Sequence, residues 1–233
     1  MTRFFTVLAK LVQYNIKIIF GNKFLYFILA ALGFFVVFVI FNLLRDDEIT
    51  QATAYSILAF PCVLLVFYPM CFGLQNDQDA KIVEILFGIP NYSYKVWLFR
   101  LLIAYIICFL ITYPLALLTW AVVVEVPPAR LTFHCLALAL FLGTLSFMFS
   151  TYIKNGAGTA VVIIIVSIIL FMFQSSVSGT RWDFFVNPFN IPLNSNQQVF
   201  YETLFNNRLL MGIASIVFIL VGLNNTRNRE KFI

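Results

Sequence analysis

Six long apolar stretches limit how this chain can fold more than any other feature. They cover about residues 24–44, 52–74, 97–124, 131–152, 157–177 and 207–224. A helix needs about 20 apolar residues to cross the hydrocarbon core of a bilayer, and each stretch is close to that length. Only helices and closed barrels satisfy all their backbone groups inside a bilayer. Barrel strands alternate apolar and polar side chains, whereas these apolar residues form unbroken blocks, so we predict six transmembrane helices.

The composition agrees with a chain that lies mostly in lipid. Hydrophobic residues make up 62% of the 233 residues and charged residues 11%, with a mean hydropathy of +0.95. A soluble domain carries about 25% charged residues. We therefore predict an all-α polytopic membrane protein with a single transmembrane domain, residues 1–233, embedded in a lipid bilayer. Small residues in the fourth stretch favour close helix contacts there: Ala139, Gly143 and Ser146.

The distribution of basic residues predicts the orientation of the spans. If the amino terminus is inside, eleven of the fifteen Lys and Arg residues fall in the inner segments. Inner segments of membrane proteins are enriched in Lys and Arg, so both termini are predicted to be cytoplasmic. This topology also accounts for the net charge of +5, and nothing indicates a nucleic-acid partner.

The first 22 residues form a different kind of segment. Polar residues recur there at helical spacing, at Arg3, Thr6, Lys10, Gln13 and Lys17, and apolar residues cover the remaining faces. A basic amphipathic helix of this kind lies in the membrane interface. We predict an interfacial helix over residues 1–22, either as a simple anchor or with a mechanical role.

The longest inner connection lies between the second and third stretches. A short amphipathic helix is predicted at its centre, ended by Gly88 and Pro90. The residues that could cap its start are Asn76, Asp77 and Asp79. Its apolar side chains leave two interpretations open, which are docking on another protein and lying on the membrane surface.

Sequence motifs for chemistry are missing. The chain has no GxxxxGK[ST] loop, no HExxH and no GxSxG, so we predict that it is not an enzyme and binds no cofactor or metal itself. The four cysteines are expected to be buried small hydrophobic residues. Few ionisable residues lie in mid-span positions, which argues against ion-coupled transport and favours an amphiphilic cargo. The few candidate polar residues that would line a path are Asn42, Thr112, Thr119, Gln174 and Ser175.

The segment Glu84-Ile-Leu-Phe-Gly-Ile-Pro90 leads into a span through basic residues. It resembles the cytoplasmic loop of ABC-2 type transporter permeases. The six predicted spans, the interfacial helix and the inner termini agree with that family. An outer loop of about residues 176–206 contains Asn187-Pro188-Phe189, which is similar to the Asn-Pro element of the family.

The resemblance implies a coupling helix that docks on a separate ABC ATPase subunit, which would carry ATP and Mg²⁺. Its contact residues would be Glu84, Ile85, Leu86, Phe87 and Pro90, with a second inner contact at Lys154 and Asn155. The outer loop, with Trp182, Asn187 and Pro188, would form short re-entrant helices before the last span. A second permease copy, in a homodimer or heterodimer, and a bacterial-type inner (plasma) membrane are implied as well.

The predicted function is therefore the permease subunit of an ATP-binding cassette exporter that moves an amphiphilic cargo. Two alternatives stay open. One is a membrane scaffold or assembly protein without transport, and the other is an ion-coupled secondary transporter.

Overall fold

The computed structural model describes residues 24–44, 49–79, 93–191 and 196–226. Within these ranges the regular structure is entirely helical, which confirms the predicted fold class at that level. The helices are α1 (Phe24–Leu43), α2 (Gln51–Asp79), α3 (Phe99–Val122), α4 (Pro128–Ile153), α5 (Gly156–Met172), α6 (Gln174–Val177) and α7 (Gln197–Thr226). One π-helical turn, Ser93–Leu98, leads directly into α3.

Five helices of the described chain are long and apolar enough to cross a membrane. These segments are Leu25–Leu43, Gln51–Asp79, Val96–Val122, Pro128–Ile153 and Gln197–Thr226. They support a multi-pass membrane protein, while the predicted count of six spans is not confirmed.

The difference in the count arises in the fifth apolar stretch, predicted at 157–177. Helix α5 has 17 residues and ends at Met172. At 1.5 Å per residue it is about 26 Å long, shorter than a hydrocarbon core of about 30 Å. One residue, Phe173, separates the end of α5 from the polar run Gln174-Ser175-Ser176. The chain starts again as the single turn α6, in which the Ser176 N–H donates to the Phe173 carbonyl oxygen at 3.0 Å.

Two other helices are longer than predicted. Helix α7 begins at Gln197 rather than near residue 207, because the Asn196 side chain caps its first turn by accepting the Gln198 N–H at 3.0 Å. Helix α2 continues to Asp79. Asn76 and Asp77 therefore lie in the last turn of α2, and the prediction that either caps the start of a new helix is wrong. For Asp79, the last residue of α2, the capping role stays a prediction.

Helix α4 lies at the centre of the bundle. It packs most extensively against α2 and α7, and α1 packs on the outer side of α2. A Cβ atom on Gly143 of α4 would overlap Val66 of α2 and the Tyr105 hydroxyl of α3. The predicted close contact of the fourth stretch is therefore confirmed at this glycine. All four cysteines are buried and free, as expected.

Successive long helices run in opposite directions, so the bundle has two distinct ends. We call one the 80–92 end, because residues 80–92 connect the end of α2 with the turn that precedes α3. The start of α5 and the ends of α4 and α7 lie there too. The opposite end is the cap end, named for the cap segment, residues 178–191, which joins α6 toward α7.

Candidate functional site

An ion pair joins the two helices that flank residues 80–92. Arg100, in the first turn of α3, donates from Nη1 to Oδ2 of Asp77, in the last turn of α2. The side chains of Arg100 and Asp77 are 7% and 2% exposed. In such low-dielectric surroundings an unpaired charge is costly, so each residue depends on the other. The pair holds α2 and α3 together at the base of the connecting segment.

The Arg100 guanidinium is also packed against an aromatic ring. Its Cζ lies 5.1 Å from the centre of the Trp97 ring, in a cation–π contact. The Arg100 Nε has no hydrogen-bond partner in the part of the chain that the structure describes. Phe147 of α4 completes the surroundings, with its ring centre 6.0 Å from that of Trp97. The Arg100 side chain is therefore fixed by packing as well as by charge.

A second link joins α2 to the start of α5. The Gly156 N–H, at the first residue of α5, donates to Oε1 of Gln75 at 2.6 Å. A Cβ atom at position 156 would overlap the Phe72 ring, so only glycine permits this approach. Gln75 and Asp77 are two residues apart on α2. The start of α5 is thus bound to the same last part of α2 that carries Asp77.

The predicted second inner contact, Lys154 and Asn155, lies at this same end. Lys154 ends α4 in a left-handed conformation, with φ 60° and ψ 4°. The Asn155 side chain caps α5 by accepting the Gly158 N–H at 2.8 Å. Both residues precede Gly156 directly, so the structure places them near the base of residues 80–92. The five main predicted contact residues lie outside the described chain: Glu84, Ile85, Leu86, Phe87 and Pro90. The predicted helix over 1–22 also lies outside it.

A third link closes the 80–92 end. The Asn225 side chain, near the end of α7, donates to the Thr151 carbonyl oxygen of α4 at 2.7 Å, and Asn225 is buried. The turn Ser93–Leu98 packs against α7 as well. Direct polar links therefore join α2 to α3, α2 to α5 and α4 to α7.

The predicted outer-loop residues lie at the cap end. Asn187 donates from Nδ2 to the Ala52 carbonyl oxygen at 2.8 Å, and its Oδ1 accepts the Phe189 N–H at 3.1 Å. Pro188 is buried, and Trp182 is half exposed beneath the Arg181 guanidinium. The described cap segment consists of turns, so the predicted re-entrant helices are not confirmed.

The five predicted path residues are scattered through the described chain. Asn42 bonds locally to the Phe38 carbonyl oxygen, and Thr119 bonds locally to that of Leu115. Thr112 is buried in helix packing, Ser175 is exposed, and Gln174 borders the cap segment. No hydrogen bond joins any two of these five residues. Their role in a path stays a prediction.

Several polar residues that organise the bundle were not predicted as functional. Arg208 donates from Nε to His134 Nδ1 at 3.3 Å and from Nη2 to the Val186 carbonyl oxygen at 3.3 Å. Asn207 donates to the carbonyl oxygens of Arg181 and Asp183 at 2.9 and 3.0 Å. The sequence did indicate that Arg100 and Arg208 are unusual. Each lies inside an apolar stretch, where an ionisable residue is costly unless it has a role.

The described residues form an all-helical bundle, and its five long apolar helices indicate a multi-pass membrane protein. Comparison with protein-family models, with curated proteins and with solved structures finds no match for this chain.

Proposed function

We propose that this chain is the permease subunit of an ABC exporter of the ABC-2 type, working as a dimer with a separate ATPase subunit. Residues 80–92 would bind the ATPase through Glu84, Ile85, Leu86, Phe87 and Pro90. The permease would sit in a bacterial-type inner membrane with both termini in the cytoplasm. Helix α5 would be the sixth crossing, since 17 residues is near the lower limit for a transmembrane helix.

The observation that carries this proposal is the buried ion pair between Asp77 and Arg100. Movement of an ATPase bound to residues 80–92 would reach the membrane helices only if the flanking helices, α2 and α3, moved together with that segment. The ion pair joins those two helices directly at the base of the segment. The Gln75–Gly156 bond extends the same unit to α5. Closure of the ATPase around residues 80–92 would therefore displace α2, α3 and the start of α5 together.

A lateral cleft supports an apolar or amphiphilic cargo. It lies between α2, α4 and α5, has a volume of about 630 Å³, and opens beside Phe60, Ile164 and Phe185. Two hydroxyl side chains, Ser56 and Ser167, are its few polar groups. Such a surface accepts hydrocarbon from the bilayer at little cost, because few polar groups have to lose water.

The decisive experiment is purification of the affinity-tagged full chain from its own cells in a mild detergent, with identification of co-purifying proteins. We expect a stoichiometric ABC ATPase that is lost in Leu86→Asp. The matched control is Leu44→Asp, the same change at an exposed residue of the cap end, which should retain the ATPase. A wild-type preparation without an ATPase would contradict the exporter function. An ATPase retained by Leu86→Asp would contradict the proposed contact.

A further inference from the structure

The cap segment and the first turns of α7 line an open cavity with a volume of about 280 Å³. Its walls include Ser178, Asp183 and Asn190 from the cap segment and Thr203 and Asn207 from α7. This is a different kind of site from the lateral cleft, because most of its named walls carry hydroxyl, amide or carboxylate groups. The volume lies near the lower limit of ligand sites, about 300 Å³, so the occupant would be a small group.

Asp183 is the unusual member of this cavity. The residue is only 4% exposed, and its Oδ1 has no hydrogen-bond partner within the described residues. Burial raises the pKa of Asp183, although the Phe185 backbone N–H, the Gln174 side chain and the Arg208 charge each lower it. Buried carboxylates are normally paired with a cation or fully hydrogen-bonded. One oxygen of Asp183 therefore lacks the donor that its position requires.

The nearby arginine does not supply that donor. Arg208 directs its donors to His134 Nδ1, the Val186 carbonyl oxygen and the Asn207 Oδ1. Both amide hydrogens of Asn207 are used by the carbonyl oxygens of Arg181 and Asp183. These bonds fix the wall of the cavity, and none of them engages Asp183 Oδ1.

The remaining polar side chains complete a set of acceptors. Ser178 and Thr203 offer hydroxyl oxygens and Asn190 offers an amide oxygen, and none of the three makes a side-chain hydrogen bond within the described chain. A protonated primary amine carries three N–H donors, as a lysine side chain does. It would pair its charge with Asp183 and direct its other donors to these neutral oxygens.

We infer that this cavity binds the protonated primary amine of a small molecule or of an aminophospholipid headgroup, with the Asp183 carboxylate as its anionic partner. Hydrogen bonds between two charged groups are about twice as strong as those between neutral groups, which gives such a ligand its advantage over a neutral hydroxyl compound. The inference does not rest on the exporter function, because binding at the cap end needs no ATPase.

Thermal unfolding of the full chain in phosphatidylcholine nanodiscs tests the inference. Ethanolamine at constant ionic strength should raise the Tm of the wild type by about 2–4 °C when its concentration is about five times Kd. Tetramethylammonium, a cation without N–H donors, should not. The rise should be lost in Asp183→Asn, which keeps the side-chain size. It should persist in Glu125→Gln, which removes an exposed carboxylate near the same end.

A second arm distinguishes the two sources of the amine. Part of the phosphatidylcholine is replaced by phosphatidylethanolamine, and the same variants are measured without free amine. If the Tm rises with phosphatidylethanolamine alone, and the rise depends on Asp183, the site binds a lipid headgroup. If the Tm rises with ethanolamine alone, the site binds a soluble amine. No rise in either arm, an equal rise in Asp183→Asn, or an equal rise with tetramethylammonium would overturn the inference.

Discussion

The two ends of this bundle hold their helices by different means. At the 80–92 end, Asp77 and Gln75 connect α2 directly to α3 and α5. At the cap end, Arg208 of α7 bonds directly to His134 of α4. The cap segment adds indirect links, because Asn207 of α7 bonds to its backbone and its Asn187 bonds to the backbone of α2. Direct links between helix ends make those helices move as one unit. The cap end relies in addition on a turn-rich segment, and that is where the cavity lined by Asp183 lies.

The largest effect is expected from breaking the ion pair. Asp77→Asn leaves the buried Arg100 without its carboxylate, and loss of one partner of a buried pair costs about 3–5 kcal/mol. The measurement is the free energy of unfolding in nanodiscs. The double variant Asp77→Asn with Arg100→Met should recover most of the loss, because no charge remains buried. A loss below about 1 kcal/mol in the single variant would show that the pair behaves like an exposed one.

A smaller effect is expected at the close approach of α5 to α2. In Gly156→Ala the new Cβ overlaps the Phe72 ring, and overpacking of this kind costs about 1–3 kcal/mol. The matched control is Gly212→Ala in α7, where nothing lies within 4 Å of the added atom. That control should be neutral or slightly stabilising, since alanine favours helix more than glycine does. Equal changes in the free energy of unfolding for the two variants would contradict close packing of Gly156 against Phe72.

At the cap end we expect a smaller and local effect. Asn187→Ala removes the bond to the Ala52 carbonyl oxygen, worth about 0.5–1.5 kcal/mol. Amide hydrogen exchange should become faster in the cap segment and stay unchanged around Asp77. Asn42→Ala, which loses only a bond within α1, should alter neither region. Faster exchange at both ends after Asn187→Ala would mean that the ends are not independent.

The smallest expected effect is a pH dependence that originates at Asp183. Because burial raises the pKa of this carboxyl group, the folded chain holds its proton at pH values where the unfolded chain has lost it. Stability should therefore fall as the pH rises from the ordinary Asp value, about 3.9, through the raised value in the folded chain. Unfolding curves of the wild type and of Asp183→Asn across this pH range isolate the contribution of Asp183 to the free energy of unfolding. The raised pKa would be contradicted if the free energy of unfolding of the wild type fell with pH no more steeply than that of Asp183→Asn.

Much of the helical architecture could be predicted from the apolar stretches. Helix α4 was expected at 131–152 and runs from Pro128 to Ile153. The errors occurred at helix ends, at Phe173 after α5 and at Asn196, whose side chain caps α7. Hydropathy measures whether a segment prefers lipid, and it does not show where a side-chain cap begins a helix.

The sequence by itself determined that this chain is helical and suited to a membrane, because a helix in lipid satisfies its backbone groups with near neighbours in the chain. It also located the small residues that permit close packing around Gly143. Only the tertiary structure decided that Asp77 pairs with Arg100, that Gln75 receives the Gly156 N–H, and that Asp183 lies in the wall of a cavity. These relations join residues 23 and 81 positions apart, or depend on which helix faces meet. Hydropathy does not encode such contacts, because they depend on the packing of whole helices against each other.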